Sequence, residues 1–237
     1  MTTQALLLAD ALAVYAVLVA PWLADRRVRR LRAEDRPSDK TALYRRAIGM
    51  QVLMIAAVAA LSLFGGIPAA SLGVRIPHAW AANMAVGGLI VSYFAFTAIR
   101  RRPRAHDLRE RMRARGGQML LPDTRSELRY FAALCAGSGV AEELVYRGFL
   151  MFLIAYYAPH LTSLVVALIV SAVFGLGHAY QGWRGVTSTG LTGLGLTILY
   201  IASGSILLPA VIHSTGNLQV VVILWPPSTE SRVAAVH

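Results

Sequence analysis

Residues 129–157 read RYFAALCAGSGVAEELVYRGFLMFLIAYY. The run is apolar over a length that crosses a bilayer, yet Glu142, Glu143 and Arg147 stand near its middle. A charged side chain at the bilayer centre costs about 2.5–3.5 kcal/mol on insertion scales, so ionisable residues there face the interior of a helix bundle and mark function. Two adjacent carboxylates resist joint ionisation unless a cation is near. Arg147 is such a cation: on a helix it lies one turn after Glu143 on the same face, whereas Glu142 is rotated from Glu143 by about 100°. Either the Glu143–Arg147 pair neutralises itself and leaves Glu142 for chemistry, or the trio locks helices together.

The surrounding sequence sets that stretch in a membrane. Of 237 residues, 56% are hydrophobic and only 15% charged, with mean hydropathy +0.55, far more apolar than a soluble domain. Apolar runs fall near 4–23, 47–65, 80–99, 129–157, 161–178, 185–203 and 206–224, each near the roughly 17–25 residues that a spanning helix needs. Trp22, Trp80, Trp183 and Trp225 stand at the ends of these runs, where amphipathic rings favour the headgroup level. The expected fold is all-α: a polytopic membrane protein of about seven transmembrane helices with a polar site buried in the bundle.

The net charge of +11 is concentrated in two connections, 25–46 and 100–115, while the 66–79 connection holds only Arg75. This is the positive-inside pattern, and it predicts both basic loops in the cytoplasm, the N-terminus outside and the C-terminus inside. Anionic lipid headgroups are the expected partners of these loops. Nucleic acid is not expected, since neither loop interleaves aromatics or carries a recognisable binding motif. The first run lacks a basic n-region and contains Asp10, so it reads as a retained span rather than a cleaved signal peptide. Cys135 is the single cysteine, which excludes an intramolecular disulfide and a thiolate metal cluster. The expected organisation is N-terminal helices with two basic loops over 1–124, a catalytic helical core over 125–225 and a short tail over 226–237.

Three more polar positions interrupt apolar spans. His178 closes the fifth run after Gly175 and Gly177, glycines that let a neighbouring backbone approach. His213 and Asn217 lie four apart in the seventh, on one helical face. A lone histidine or a His/Asn face serves equally well as an interhelical hydrogen-bonder. Together with Glu142, however, these residues are the parts of a hydrolytic site: a base, an imidazole to share a water, and donors for an oxyanion.

Glu142-Glu143-Leu-Val-Tyr-Arg147 resembles the EExxxR motif, Phe174-Gly-Leu-Gly-His178 the FxxxH motif, and His213-Ser-Thr-Gly-Asn217 the HxxxN motif of the CPBP family. That family comprises the type II CAAX prenyl proteases and the bacterial ABI-domain proteins linked to bacteriocin processing and self-immunity. All three motifs occur in order, and the resemblance covers about 125–225. It implies an intramembrane endopeptidase acting on a peptide or protein at the membrane. Glu142 would be the general base, His178 would orient and help deprotonate the water, Glu143 and Arg147 would hold Glu142, and His213 and Asn217 would stabilise the oxyanion.

The resemblance leaves zinc open. Glu142, His178 and His213 supply the three protein ligands that a catalytic zinc needs, whereas there is no H-E-x-x-H pair and Asn217 is a better oxyanion donor than zinc ligand. A metal-free glutamate mechanism is the expectation. Three rivals stand beside it: a noncatalytic immunity or membrane partner protein of the same fold, a transporter with an ion-coupling carboxylate pair, and a serine protease using Ser138, whose G-x-S-G context is broken. The excess of arginine over lysine is associated with bacterial chromosomes rich in G and C. The expected setting is accordingly a bacterial cytoplasmic membrane, and the expected substrate a bacterial precursor or membrane peptide.

Overall fold

The computed structural model describes residues 2–33, 40–114 and 120–225. The tail at 226–237 and parts of both basic connections, 34–39 and 115, lie outside the described residues. Helix α1 (Thr3–Val14), capped by the Thr2 hydroxyl, runs through a π-helical turn at Tyr15–Val19 into α2 (Ala20–Ala33). Helix α3 spans Lys40–Gly65, and α4 (Trp80–Arg101) continues through a 3-10 turn at Arg102–Arg104 into α5 (Ala105–Ala114). Helix α6 (Arg125–Glu143) opens on a capping box in which Thr124 and Glu127 satisfy each other's backbone amides. It passes through a π-helical segment, Leu144–Leu150, into α7 (Met151–Tyr157). Helices α8 (Ser163–Leu176), α9 (Trp183–Ser203) and α10 (Leu207–Ile223) complete the bundle.

The chain is therefore an all-α polytopic membrane protein. Leu63, Phe64 and Leu89 are 76%, 86% and 73% exposed, a surface suited to lipid rather than water. Four helical stretches, Thr3–Leu31, Lys40–Gly65, Trp80–Met112 and Trp183–Ser203, are long and apolar enough to span a bilayer. Three of the seven expected spans fall outside these four: 129–157, whose helical stretch carries Glu142, Glu143 and Arg147, and the runs that form α8 and α10. Helices α8 and α10 are apolar but have only 14 and 17 residues, about 21 and 26 Å at 1.5 Å per residue, short of a hydrocarbon core of about 30 Å. Helix α8 stops where Gly175 and Gly177 meet His178, so its C-terminal end delivers that histidine within the bundle instead of carrying it to the far surface.

The basic connections differ too, because much of each is helical rather than loop. Arginine is a good helix former, and Arg29 pairs with Asp25 one turn earlier at 2.7 Å. The two connections meet at one end of the bundle. Lys40 donates to the Leu121 carbonyl at 2.8 Å and also pairs with Asp123, which accepts from Arg109 at 2.9 Å. At the opposite end Arg75 donates to the Gly204 carbonyl at 2.7 Å, and the His78 amide to the Ser203 carbonyl at 2.8 Å.

Helix α6 is central: α3 packs on one side of it and α10 on the other, while α8 packs against α9. Gly139 makes the α6–α10 approach feasible, since a Cβ there would collide with the backbone and hydroxyl of Ser214. Gly175 does the same for α8 and α9, where a Cβ would lie 2.7 Å from the Val186 carbonyl and 3.0 Å from the Gly190 Cα. Close approach through small residues is how helices associate where lipid removes the hydrophobic drive. The core cluster of Val58, Ile67, Val145, Phe149, Val170 and Phe174 surrounds the polar residues of α6.

Candidate active site

Glu143 and Arg147, both fully buried, form an ion pair at 2.9 Å across one turn. The rest of the guanidinium is satisfied by α9: Nη2 donates to the Gly193 carbonyl at 2.8 Å and Nε to the Thr197 hydroxyl at 3.1 Å. Its face lies 4.5 Å from the centre of the Phe174 ring, within cation–π range. A buried charge with a hydrogen bond from each of its three nitrogens is held in one place. Glycine at 193 is required by the crowding, since a Cβ there would sit 2.8 Å from the Phe174 ring and 3.1 Å from Arg147 Nη2.

His213 approaches from α10. Its Nδ1 lies 2.8 Å from Glu143 Oε1 and its Nε2 3.8 Å from Glu142 Oε2. Glu143 thus holds Arg147 and His213 on a single oxygen, while Oε2 of Glu142 and Oε2 of Glu143 are both buried without a hydrogen-bond partner among the described residues. Because Glu143 faces a guanidinium, its carboxylate accepts and Nδ1 of His213 carries the proton. Neutral His213 then presents a lone pair at Nε2, and it can donate to an oxyanion from that atom only as imidazolium. This constrains the oxyanion role expected for His213.

His178 is fixed by similar reasoning. Its Nδ1 is 2.8 Å from the Phe174 carbonyl, which can only accept, so the neutral ring carries its proton on Nδ1 and leaves Nε2 as an acceptor. Asn217 donates through Nδ2 to the Ser138 hydroxyl at 2.8 Å, and that hydroxyl donates to the Cys135 carbonyl at 3.0 Å. Glu142, His178, His213 and Asn217 line one cavity of about 930 Å³ between the α1–α2 rod, α3, α6 and α10. Glu143 and Arg147 stand behind its wall. The six residues of the three motifs are thereby gathered from α6, the π-helical segment, the end of α8, and α10; Phe174 touches both imidazoles, with ring centres 4.9 Å from His178 and 6.0 Å from His213.

Sequence reasoning missed Thr197 and Gly193, which complete the Arg147 cage. The available signal was their four-residue spacing within the small-residue run TGLTGLGLT of α9. Ser138 was weighed as a nucleophile, but no imidazole bonds it, and its proton is directed at a carbonyl. Ser138→Ala is expected to lower peptidase activity by less than about tenfold, through the loss of one support for Asn217; a serine nucleophile requires a far larger loss. The initial rate of purified protein with a quenched peptide separates the two.

The donor set was also tested against zinc. Among the described residues, no group of three His, Cys, Asp or Glu side chains is placed to hold a metal ion. Nδ1 of His213 meets Glu143 and Nδ1 of His178 meets a carbonyl, which leaves a lone pair on Nε2 of each neutral ring. The chemistry proposed below uses these side chains alone.

An apolar helical bundle that encloses a carboxylate, two imidazoles and an amide around one cavity defines a membrane-embedded protein with the parts of a hydrolase. Residues 124–219 match the family model described as Type II CAAX prenyl endopeptidase Rce1-like. Over that segment the chain is similar to this family, which at family level is one of intramembrane proteases. The match begins at the Thr124 cap of α6 and ends in α10, so α1–α5 lie outside it. No curated protein and no solved structure matches the chain.

Proposed function

We propose that the protein is an intramembrane endopeptidase in which Glu142 activates a water against a peptide bond of a membrane-associated substrate. The observation that carries this reading is the contrast between two neighbouring carboxylates. Glu143 is spent on Arg147 and His213, while Glu142 faces the cavity with a buried, unbonded oxygen beside an imidazole. A water bound by Glu142 Oε2 and by the acceptor Nε2 of His178 gives one proton to Glu142 as its oxygen attacks the carbonyl carbon. Asn217 and, as imidazolium, His213 stabilise the resulting oxyanion. Protonated Glu142 then passes its proton to the leaving nitrogen, the C–N bond breaks as the carbonyl re-forms, and the remaining hydroxyl proton of the acid passes to Nε2 of His178, so that a carboxylate and an amine leave. The substrate we propose is a bacterial precursor or membrane peptide. Comparison of membrane-protein termini in cells expressing wild-type protein or Glu142→Gln tests the reading: new termini that depend on Glu142 support it, and identical termini sink it.

Asn217 separates the metal-free scheme from a zinc scheme. Removing one oxyanion donor lowers kcat by about 10²–10³-fold, and an interaction made only in the transition state leaves KM little changed. Asn217→Ala is expected to show that split, and wild-type enzyme to stay active after exhaustive chelation. Loss of activity on chelation with recovery on zinc addition would refute the scheme while leaving the protease class intact.

The proposed orientation places the end carrying Lys40 and Arg109 in the cytoplasm, by the positive-inside rule. A cysteine introduced at His106, which is exposed near that end, should resist an impermeant thiol reagent in intact cells, and one at Ser71, exposed at the other end, should react. The reverse pattern overturns the orientation.

A further inference from the structure

The residue before Arg147 carries a group that the mechanism above leaves unused. Leu144, Val145 and Tyr146 fill the three variable positions of the Glu-Glu motif, and the first two are buried among apolar side chains. Tyr146 is 8% exposed and packs its ring edge-on against Phe174, centres 5.0 Å apart. Its hydroxyl makes no hydrogen bond with any described residue, although it lines the cavity that holds Glu142, His178, His213 and Asn217. A Cβ built on Gly177 would lie 3.3 Å from that oxygen, which places it against the backbone next to His178. Packing against Phe174 accounts for the ring but not for the hydroxyl. Phenylalanine would fill the same space, whereas tyrosine adds a donor on the wall of the cavity.

Three other hydroxyls on the cavity wall are already committed: Tyr44 to the Leu120 carbonyl, Tyr15 to Met50 and Ser138 to the Cys135 carbonyl. The donors assigned to the oxyanion are also partly spent. One N–H of Asn217 goes to Ser138, and neutral His213 presents only a lone pair at Nε2. Beside the remaining N–H of Asn217, a second neutral donor that stays protonated while Glu142 is ionised would complete the pair, and a phenol meets that requirement.

We infer that Tyr146 is a further catalytic residue, donating its hydroxyl hydrogen bond to the carbonyl oxygen of the scissile peptide as negative charge develops there. This rests on the endopeptidase reading. No proton is transferred from Tyr146: the carbonyl π pair moves onto oxygen as water attacks, the phenol stabilises that oxygen, and the proton of the attacking water goes to Glu142 and then to the leaving nitrogen. The wide π-helical turn at Leu144–Leu150 supports the assignment, because such turns are frequent at functional sites and this one directly follows the catalytic carboxylates.

The test compares wild type, Tyr146→Phe and Glu142→Gln in detergent, using a peptide quenched across the bond found in the termini comparison. Tyr146→Phe should lower kcat about 10²–10³-fold with KM within about twofold, and its thermal unfolding midpoint should equal or exceed that of wild type because no protein hydrogen bond is lost. Wild-type kcat in Tyr146→Phe with an inactive Glu142→Gln overturns this inference alone. Full activity in both variants overturns the endopeptidase reading and this inference with it. A fall in kcat accompanied by a clearly lowered unfolding midpoint assigns Tyr146 to packing and also overturns the inference.

Discussion

Glu142→Gln is expected to lower kcat by about 10²–10⁴-fold or more, the usual share of general-base catalysis, with the protein as stable as wild type. The amide keeps the shape of the carboxylate and its capacity to accept a hydrogen bond, but it cannot take a proton from water. Stability should hold because Glu142 makes no ion pair shorter than its 3.8 Å approach to His213, and its Oε2 has no hydrogen-bond partner. The contrast with its neighbour is the sharper test. Glu143→Gln removes the negative charge that Arg147 and His213 share, leaving a buried guanidinium uncompensated, so it should lower activity and stability together. Steady-state kinetics and thermal unfolding of the two purified variants distinguish base from scaffold. Equal loss of stability in both would overturn the division of labour between the two carboxylates.

Arg147→Met should be the most destabilising single change in the site. Removing one partner of a buried ion pair typically costs about 3–5 kcal/mol, because the other charge stays buried and uncompensated. Here the remaining carboxylate, on Glu143, is fully buried, and the Gly193 carbonyl and Thr197 hydroxyl lose the donors that tie α9 to this region. Against a total stability of about 5–15 kcal/mol, most of the protein should fail to accumulate in folded form, read as the yield of monodisperse protein in detergent. The double variant Glu143→Leu/Arg147→Met tests the cause. It exchanges a charge pair for apolar side chains of similar volume, a change often neutral or stabilising, so it should fold better than Arg147→Met while remaining inactive. A double variant no more stable than the single one would show that packing, and not the buried charge, is what Arg147 supplies.

Local chemistry made much of this protein legible in advance. Apolar runs and terminal tryptophans mark the helices because a bilayer leaves no other way to satisfy backbone polar groups than helices or closed barrels. The one-turn spacing of Glu143 and Arg147 states their pairing, since i and i+4 side chains share a helical face wherever that helix sits, and the clustered arginines mark one end of the bundle. Other features depend on which helix lies against which. The Arg147 cage needs Gly193 and Thr197 from α9, and the bond from Asn217 to Ser138 needs α10 to cross α6 at Gly139. The tautomers of His178 and His213 follow from the acceptor each ring meets, and the free hydroxyl of Tyr146 follows from the lack of one. Residue type and spacing by themselves determined the apolar helices, the basic end and which polar side chains interrupt the bundle. The tertiary structure decided which carboxylate is spent and which is free, and which nitrogens and hydroxyls still have a hydrogen bond to give. The physical reason is that a buried polar group is defined by its partners, and those partners come from helices distant in the chain.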